Sequence, residues 1–442
     1  VRSIVANILS ILLGVGTMLL GLGALNTLVG VRGVAEGFAE WVIGAVSAAY
    51  FIGYIGGILI WPRIIRRVGH IRAFAAFAGL ASVAASLHGL AVDPWAWLVL
   101  RPVTGACVVG LYMVVESWLN ALAPSAQRGR VFASYMAVSL LALAGGQYVL
   151  LAGDPRDYLL FGVGAMFFAL ALVPVALTRI SAPEVIEAPR LGLRRLYGIS
   201  PLSMVGSGAA GLTGGALWSM GPVFVTGLGL EKLAVAVFMS LAVMGGMLLQ
   251  WPIGHLSDRI DRRRVLAGVC FGGFVLALAM LLVSGRYPEA GSYAPLLNLA
   301  AFFYGGFAFT VYSLSVAQLN DHLDPAEMME GTGSLLLLYG VGAILGPLLA
   351  GGVMHLAGAP GLPAFLALVL LGSGLYGAHR SRVGRPIRPE DQVEFMPMLR
   401  TSQESIEMDP RTDVEPELDL QPHGAGGPAP VQGLAEGDPP RS

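Results

Sequence analysis

The sequence predicts an all-α membrane protein whose twelve transmembrane helices form two pseudo-symmetric six-helix bundles. Three observations lead there. Of 442 residues, 55% are hydrophobic and only 12% are charged, a balance far from that of a water-soluble chain of this length. Apolar runs of about 20 residues recur along the chain, each long enough to cross a hydrocarbon layer. Finally, Gly105, Tyr112, Leu119, Asn120 and Gly146 return as Gly305, Tyr312, Leu319, Asn320 and Gly346, always 200 residues later. A displacement shared by five positions marks two related halves.

In order, the expected spans cover residues 5–30, 41–61, 72–92, 95–120, 129–151, 157–178, 202–228, 232–254, 265–285, 293–318, 332–356 and 361–380. The first follows Arg2 and runs on to Val31, longer than a signal-peptide core. Sixty glycines would weaken helices in water, but in lipid they let helices approach closely. After span six comes the longest internal hydrophilic connection, Arg179 to Ser200, with Pro183 and Pro189. It divides a bundle at 1–180 from a second at 201–380, with 181–200 as linker. Trp61-Pro62 after span two returns as Trp251-Pro252 near the end of span eight. Residues 381–442 carry 6 basic against 12 acidic groups, the reverse of the 21 against 16 in 1–380. This proline-rich acidic stretch is expected to be a largely disordered cytoplasmic tail. Within it, Val393 to Leu399 has enough apolar content to dock on the cytoplasmic face, the alternative being a free linker.

Basic residues resist translocation, so their distribution orients the bundle. With Arg2 inside, Arg63, Arg66, Arg67, Arg72, Arg128, Arg130, Arg179, Arg190, Arg194, Arg195, Arg259, Arg262, Arg263 and Arg264 also lie inside. Only Arg32, Arg156, Lys232 and Arg286 remain outside. Both termini are therefore expected in the cytoplasm, in a multi-pass protein of the inner cell membrane. The two cysteines, Cys107 and Cys270, each lie in an apolar run, which argues against a disulfide framework, and no metal-ligand set accompanies them. Seven histidines are scattered, and neither His-Glu-x-x-His nor Gly-x-Ser-x-Gly occurs, so hydrolase and transferase chemistry lacks its parts. No enzyme activity, cofactor, metal or nucleic-acid partner is expected.

After span eight comes Gly254-His-Leu-Ser-Asp258-Arg259-Ile-Asp-Arg262-Arg263, which resembles the loop signature of the major facilitator superfamily (MFS). The equivalent first-half loop, Trp61-Pro62-Arg63-Ile-Ile-Arg66-Arg67-Val-Gly69, departs from that signature, with Arg66 where the family has an acid. Leu25-Asn26-Thr-Leu, Val115-Glu116-Ser117, Gly146-Gln147, Gln250-Trp251-Pro252-Ile253-Gly254 and Leu345-Gly346-Pro347 together resemble the YcaD-type branch. The resemblance covers roughly residues 5–380. It implies a single-chain secondary transporter that works as a monomer in the bilayer on a small-molecule substrate, with protons or another ion as the coupling partner. It names no substrate. Multidrug-type efflux, and a non-transporting receptor or channel on the same fold, remain alternatives.

Arg101 lies six residues into span four, where burying a charge demands a partner or a water-filled cavity. One reading has it sensing an anionic group or assisting proton movement; the other ties it to backbone carbonyls near the outer end. Among the neutral polar groups within the spans (Asn26, Tyr50, Tyr54, Tyr112, Gln147, Trp218, Asn298, Tyr304, Tyr312, Gln318 and Tyr339), the substrate or ion pathway is assigned to Asn26, Tyr112, Gln147, Trp218, Tyr304 and Tyr312 together with Arg101. A cytoplasmic gate is assigned to Glu116, Arg67, Arg128, Arg130, Asp258, Arg259 and Arg262. In it Glu116 is expected to latch onto Arg67, Arg128 or Arg130, or to carry a proton. The glycine-proline run Gly342 to Gly352, around Pro347, resembles an antiporter motif but lies in span eleven, where plain helix packing is the competing reading.

Overall fold

In a computed structural model of the chain, residues 2–124, 127–177, 191–285, 294–324, 327–383, 387–398 and 401 are described. The helices are α1 (Arg2–Ala35), α2 (Glu40–Val68), α3 (His70–Leu90), α4 (Pro94–Leu122), α5 (Arg128–Gly146), α6 (Tyr158–Leu170), α7 (Leu172–Ala176), α8 (Leu193–Ile199), α9 (Pro201–Gly227), α10 (Lys232–Ser257), α11 (Arg262–Ser284), α12 (Ala294–Asn320), α13 (Met328–Ala357) and α14 (Gly361–Arg382). A 3-10 turn, Gln147–Ala152, prolongs α5. Helix ends follow local chemistry. Asp93 caps α4, accepting from the backbone N–H of Trp95 and Ala96, with Pro94 in the first turn. Gly69, at φ +85°, turns the chain sharply from α2 into α3.

Among the described residues, eleven spans combine membrane length with apolar composition. The twelfth, α9, is a helix of 27 residues, about 40 Å at the usual rise per residue. Ser203, Gly206, Ser207, Gly208, Gly211, Thr213, Gly214 and Gly215 dilute its hydropathy. The same small residues let α13 approach. A Cβ on Gly211 would lie 2.1 Å from the Tyr339 carbonyl oxygen, and Ser207 donates to the Leu335 carbonyl at 2.8 Å.

Glycines also give the 200-residue repeat its physical meaning. Added to Gly105, a Cβ would lie 2.0 Å from Tyr50 O on α2; added to Gly305, 1.9 Å from Ala242 O on α10. Gly146 likewise opposes Leu20 O on α1 at 2.4 Å, and Gly346 opposes Leu212 O on α9 at 2.2 Å. Equivalent crossings in the two bundles are thus made by the same trick. Absence of a side chain permits backbone contact, and van der Waals packing supplies the association that the hydrophobic effect cannot supply between helices in lipid.

The two halves meet along α1 with α9, α2 with α13, and α5 with α10. Twelve antiparallel traverses put Arg2 and Arg382 at one face, the terminal face. Toward the opposite, far face the halves are closed: Gly44 packs on Pro347, Gly351 on Glu40, and Ser240 donates to Ala144 O at 2.8 Å. Glu40 and His355 pair there at 3.2 Å. Toward the terminal face the halves part, and residues 393–398 with Thr401 lie between them. Of the patch for which docking and a free linker were the two readings, residues 393–398 lie deeper than the surface, and Leu399 lies outside the described residues. Helix α8 occupies 193–199 of the expected linker, with Leu196 buried against the second bundle. Residues 181–190 of that linker and 402–442 of the expected tail lie outside the described residues.

Candidate substrate cavity and terminal-face gate

A cavity of about 150 Å³ lies between the bundles. Asn26 from α1, Tyr50 and Tyr54 from α2, Arg101 and Tyr112 from α4, and Ser139 from α5 line it on one side. Trp218 and Ser219 from α9, Gln250 from α10, Phe309 from α12 and Tyr339 from α13 line it on the other. The walls are aromatic with few polar groups, the usual composition of a small-molecule site. Aromatic pairs hold them in shape: Trp218 meets Phe309 edge-on at 6.2 Å, and Tyr339 meets Tyr312 at 5.3 Å.

Arg101 is 3% exposed. Its Nη2 donates to Asn26 Oδ1 at 2.9 Å, and its guanidinium carbon sits 4.8 Å from the Tyr50 ring centroid. Both contacts lie within the first bundle, so the tie to backbone carbonyls expected on the structural reading is replaced by an amide and a π face. The buried Nε and Nη1 carry no hydrogen-bond partner among the described residues. A buried cation with donors to spare is strongly disposed toward an anion.

The pathway residues separate into two groups. Asn26, Arg101, Tyr112 and Trp218 come together on the cavity wall. Gln147, Tyr304 and Tyr312 are buried behind it. Gln147 is a helix tie: its Nε2 donates to Leu143 O at 2.9 Å and Gly23 O at 3.4 Å, and its Oε1 accepts from the Thr27 hydroxyl. Tyr304 packs inside the second bundle, and Tyr312 buttresses Tyr339. Ser139, Gln250 and Phe309 were not assigned to the pathway from the sequence, since which face of a helix meets the other bundle is undetermined when every face is apolar.

At the terminal face, Arg262 is wholly buried and bridges two acids, Asp258 and Asp321, each at 2.7 Å. Arg262 also donates to Val393 O at 2.8 Å. Asp321, absent from the expected gate, lies 59 residues away in sequence and reaches the site from the end of α12. Arg259 is exposed, as are Arg67 and Arg130, while Arg128 is half-buried. Glu116 accepts from the Tyr135 hydroxyl at 2.5 Å and from the Thr401 hydroxyl. Glu116 is wholly buried.

Two related six-helix halves around a central cavity, with charged loops at one face, are the architecture of a membrane carrier. The chain belongs to the Major Facilitator Superfamily, which it matches over residues 8–347 and again over 204–394. It is 30% identical over 348 residues to an uncharacterised MFS-type transporter of Enterobacter sp. (strain 638), covering 77% of this chain and 87% of the relative. It is 27% identical over 344 residues to the uncharacterised MFS-type transporter YcaD of Escherichia coli O17:K52:H18, with the same coverage of 77% and 87%. In fold it is similar to the nucleoside transporter NupG, with a TM-score of 0.67 at 14% identity, over 85% of this chain and 98% of that one. The protein is thus a multi-pass membrane transporter of a small-molecule substrate, and not an enzyme.

Proposed function

We propose that the protein is a proton-coupled secondary transporter of a small organic anion or zwitterion, working by alternating access. The observation that carries the substrate class is Arg101, buried at the cavity wall with Nε and Nη1 unpartnered among the described residues. A carboxylate, sulfonate or phosphate between Arg101 and the tyrosine hydroxyls would take those donors, while Trp218, Phe309 and Tyr339 would cover an apolar body. A multidrug carrier would favour a broad aromatic chamber without a committed cation. Glu116 is the proton carrier in this reading. It lies just beyond the cavity, one hydroxyl away from Thr401 on the wall, and protonation would relieve the cost of a buried carboxylate during the swing. The distribution of loop arginines supports placing the terminal face in the cytoplasm of a bacterial inner membrane.

The test is a ligand-induced thermal shift of the purified protein across anionic, zwitterionic, cationic and neutral solutes, repeated with Arg101→Ala and Arg101→Lys. Anionic or zwitterionic hits that vanish in Arg101→Ala support the reading. Losing a charge-assisted, bidentate contact of about 1.5–3 kcal/mol weakens binding by roughly 10- to 150-fold. Lys restores the charge but not the planar fork, so its hits return only in part. Hits that ignore Arg101 overturn the substrate class and make Arg101 structural.

A further inference from the structure

The opening between the bundles at the terminal face holds residues of the chain's own C-terminal part. Three backbone N–H groups of an extended segment are received by side chains of the second bundle. Val393 N donates to Asp321 Oδ1 at 3.0 Å, Phe395 N to Asp258 Oδ1 at 3.0 Å, and Met398 N to Ser313 Oγ at 3.2 Å. The two carboxylates are the ones that Arg262 bridges, and Arg262 also binds the Val393 carbonyl. Positions 393 and 395 therefore use alternate main-chain groups against a fixed acid–base–acid row, the way an extended peptide is read without regard to its side chains.

Side chains supply the selectivity. Phe395, 7% exposed, packs on α10 where Gly254 leaves room; a Cβ there would come 2.0 Å from the ring. Met398 and Thr401 reach further and form part of the wall of the transport cavity. Thr401 then engages the first bundle, its hydroxyl donating to Glu116 and its carbonyl accepting from the Tyr54 hydroxyl. One short segment is thereby fastened to both bundles at the face where they part.

We propose that this vestibule is a peptide-binding site whose ligand is the chain's own residues 393–398 with Thr401, and that its occupancy holds the bundles in their present arrangement and closes the cavity to solutes from the terminal face. The site uses Glu116, the proposed proton carrier, and Tyr54, a cavity residue, so the bound segment and a transported solute exclude each other. An extended peptide with an aromatic residue three positions before a flexible apolar one, spaced as Phe395 and Met398, is the ligand class.

The test uses the full chain with a reporter thiol, Ser139→Cys on the cavity wall, in proteoliposomes; the native Cys107 and Cys270 are both buried. A membrane-impermeant maleimide is applied to the terminal face, and hydrogen exchange of amides 391–398 is followed in parallel. Phe395→Asp removes the ring from the ligand, and Gly254→Leu fills its seat from the receptor side. Both are expected to label Ser139→Cys about tenfold faster or more than the parent, as release of a dominant closed population requires. Both should also lose amide protection at 391–398. A synthetic peptide spanning Asp391 to Thr401 slows labelling of the Phe395→Asp protein again, whereas the same peptide carrying Phe395→Asp does not. If one variant fails to fold, the other and the peptide arm still decide. Equal labelling rates in parent and variants, or unprotected amides in the parent, overturn the proposal. None of these readouts needs a substrate, so they stand or fall separately from the anion reading on which the transport consequence rests.

Discussion

Arg262→Met should destabilise the protein more than any other single change at the terminal face. The methionine fills much of the stem's volume, so the loss is chiefly electrostatic. Arg262 and Asp321 are 0% and 1% exposed at their side chains, and Asp258 is 25% exposed. Removing the guanidinium leaves a fully desolvated carboxylate at Asp321 and a partly solvated one at Asp258. Breaking a buried pair from one side typically costs about 3–5 kcal/mol; with Asp258 partly screened by water, we expect about 3 kcal/mol here. Most of that is the orphaned Asp321 charge. The double variant Arg262→Met/Asp321→Asn should therefore recover about half of the loss, although each substitution alone is harmful. By the same logic Asp321→Asn should cost about 1.5–3 kcal/mol, the worth of a hydrogen bond to a charged group, and Asp258→Asn less. Thermal and denaturant unfolding of the purified protein in mild detergent reads all four. A stability for Arg262→Met within about 0.5 kcal/mol of the parent would refute the reasoning, because that is the range of an ordinary surface change. So would a double variant that loses the sum of the two singles.

Gly245→Ala should force α10 and α12 apart, because the new Cβ would lie 1.7 Å from Phe302 O. Overpacking of this kind costs about 1–3 kcal/mol, and the unfolding midpoint should fall, whereas Gly268→Ala, with nothing within 4 Å, should leave it unchanged. Glu116→Gln should abolish stimulation of solute uptake by an imposed pH gradient in proteoliposomes while solute exchange persists; unchanged stimulation would return Glu116 to a purely structural role. Asn26→Leu removes the one hydrogen-bond acceptor observed for Arg101, which should lower the unfolding midpoint by an amount that an anionic ligand partly restores. That restoration, measured as a larger ligand-induced shift than in the parent, separates a binding arginine from a structural one.

The bundles communicate with the cavity through few elements. Gly44 on Pro347 and Gly30 near Ser219 O, at 3.4 Å, bring α2 to α13 and α1 to α9 at backbone distance. Such contacts tolerate rocking because they involve no side chain that must repack. The glycine-proline run of α13 is accordingly used in helix packing: Gly342 and Gly346 against α9, Pro347 and Gly351 against α2. The antiporter role that its resemblance implied finds no separate observation.

The sequence alone determined the solvent, the helix count and the duplication, because each is written in properties that neighbours along the chain share: run length, apolar content and a constant displacement. Even α9, the least apolar span, was legible from its length and its place in the repeat. It also singled out Arg101 as a candidate, since a charge inside an apolar run is costly wherever the helix turns. Tertiary structure decided which polar groups face the cavity. Asn26 and Gln147 carry the same chemistry, yet one lies at the bundle interface and the other between α1 and α5, and an almost uniformly apolar helix has no periodicity to tell the two faces apart. It also decided that Asp321 completes the Arg262 site from the end of another helix, and that residues 393–398 and Thr401 lie between the bundles. Both depend on groups far apart in the chain converging, which local pattern does not encode.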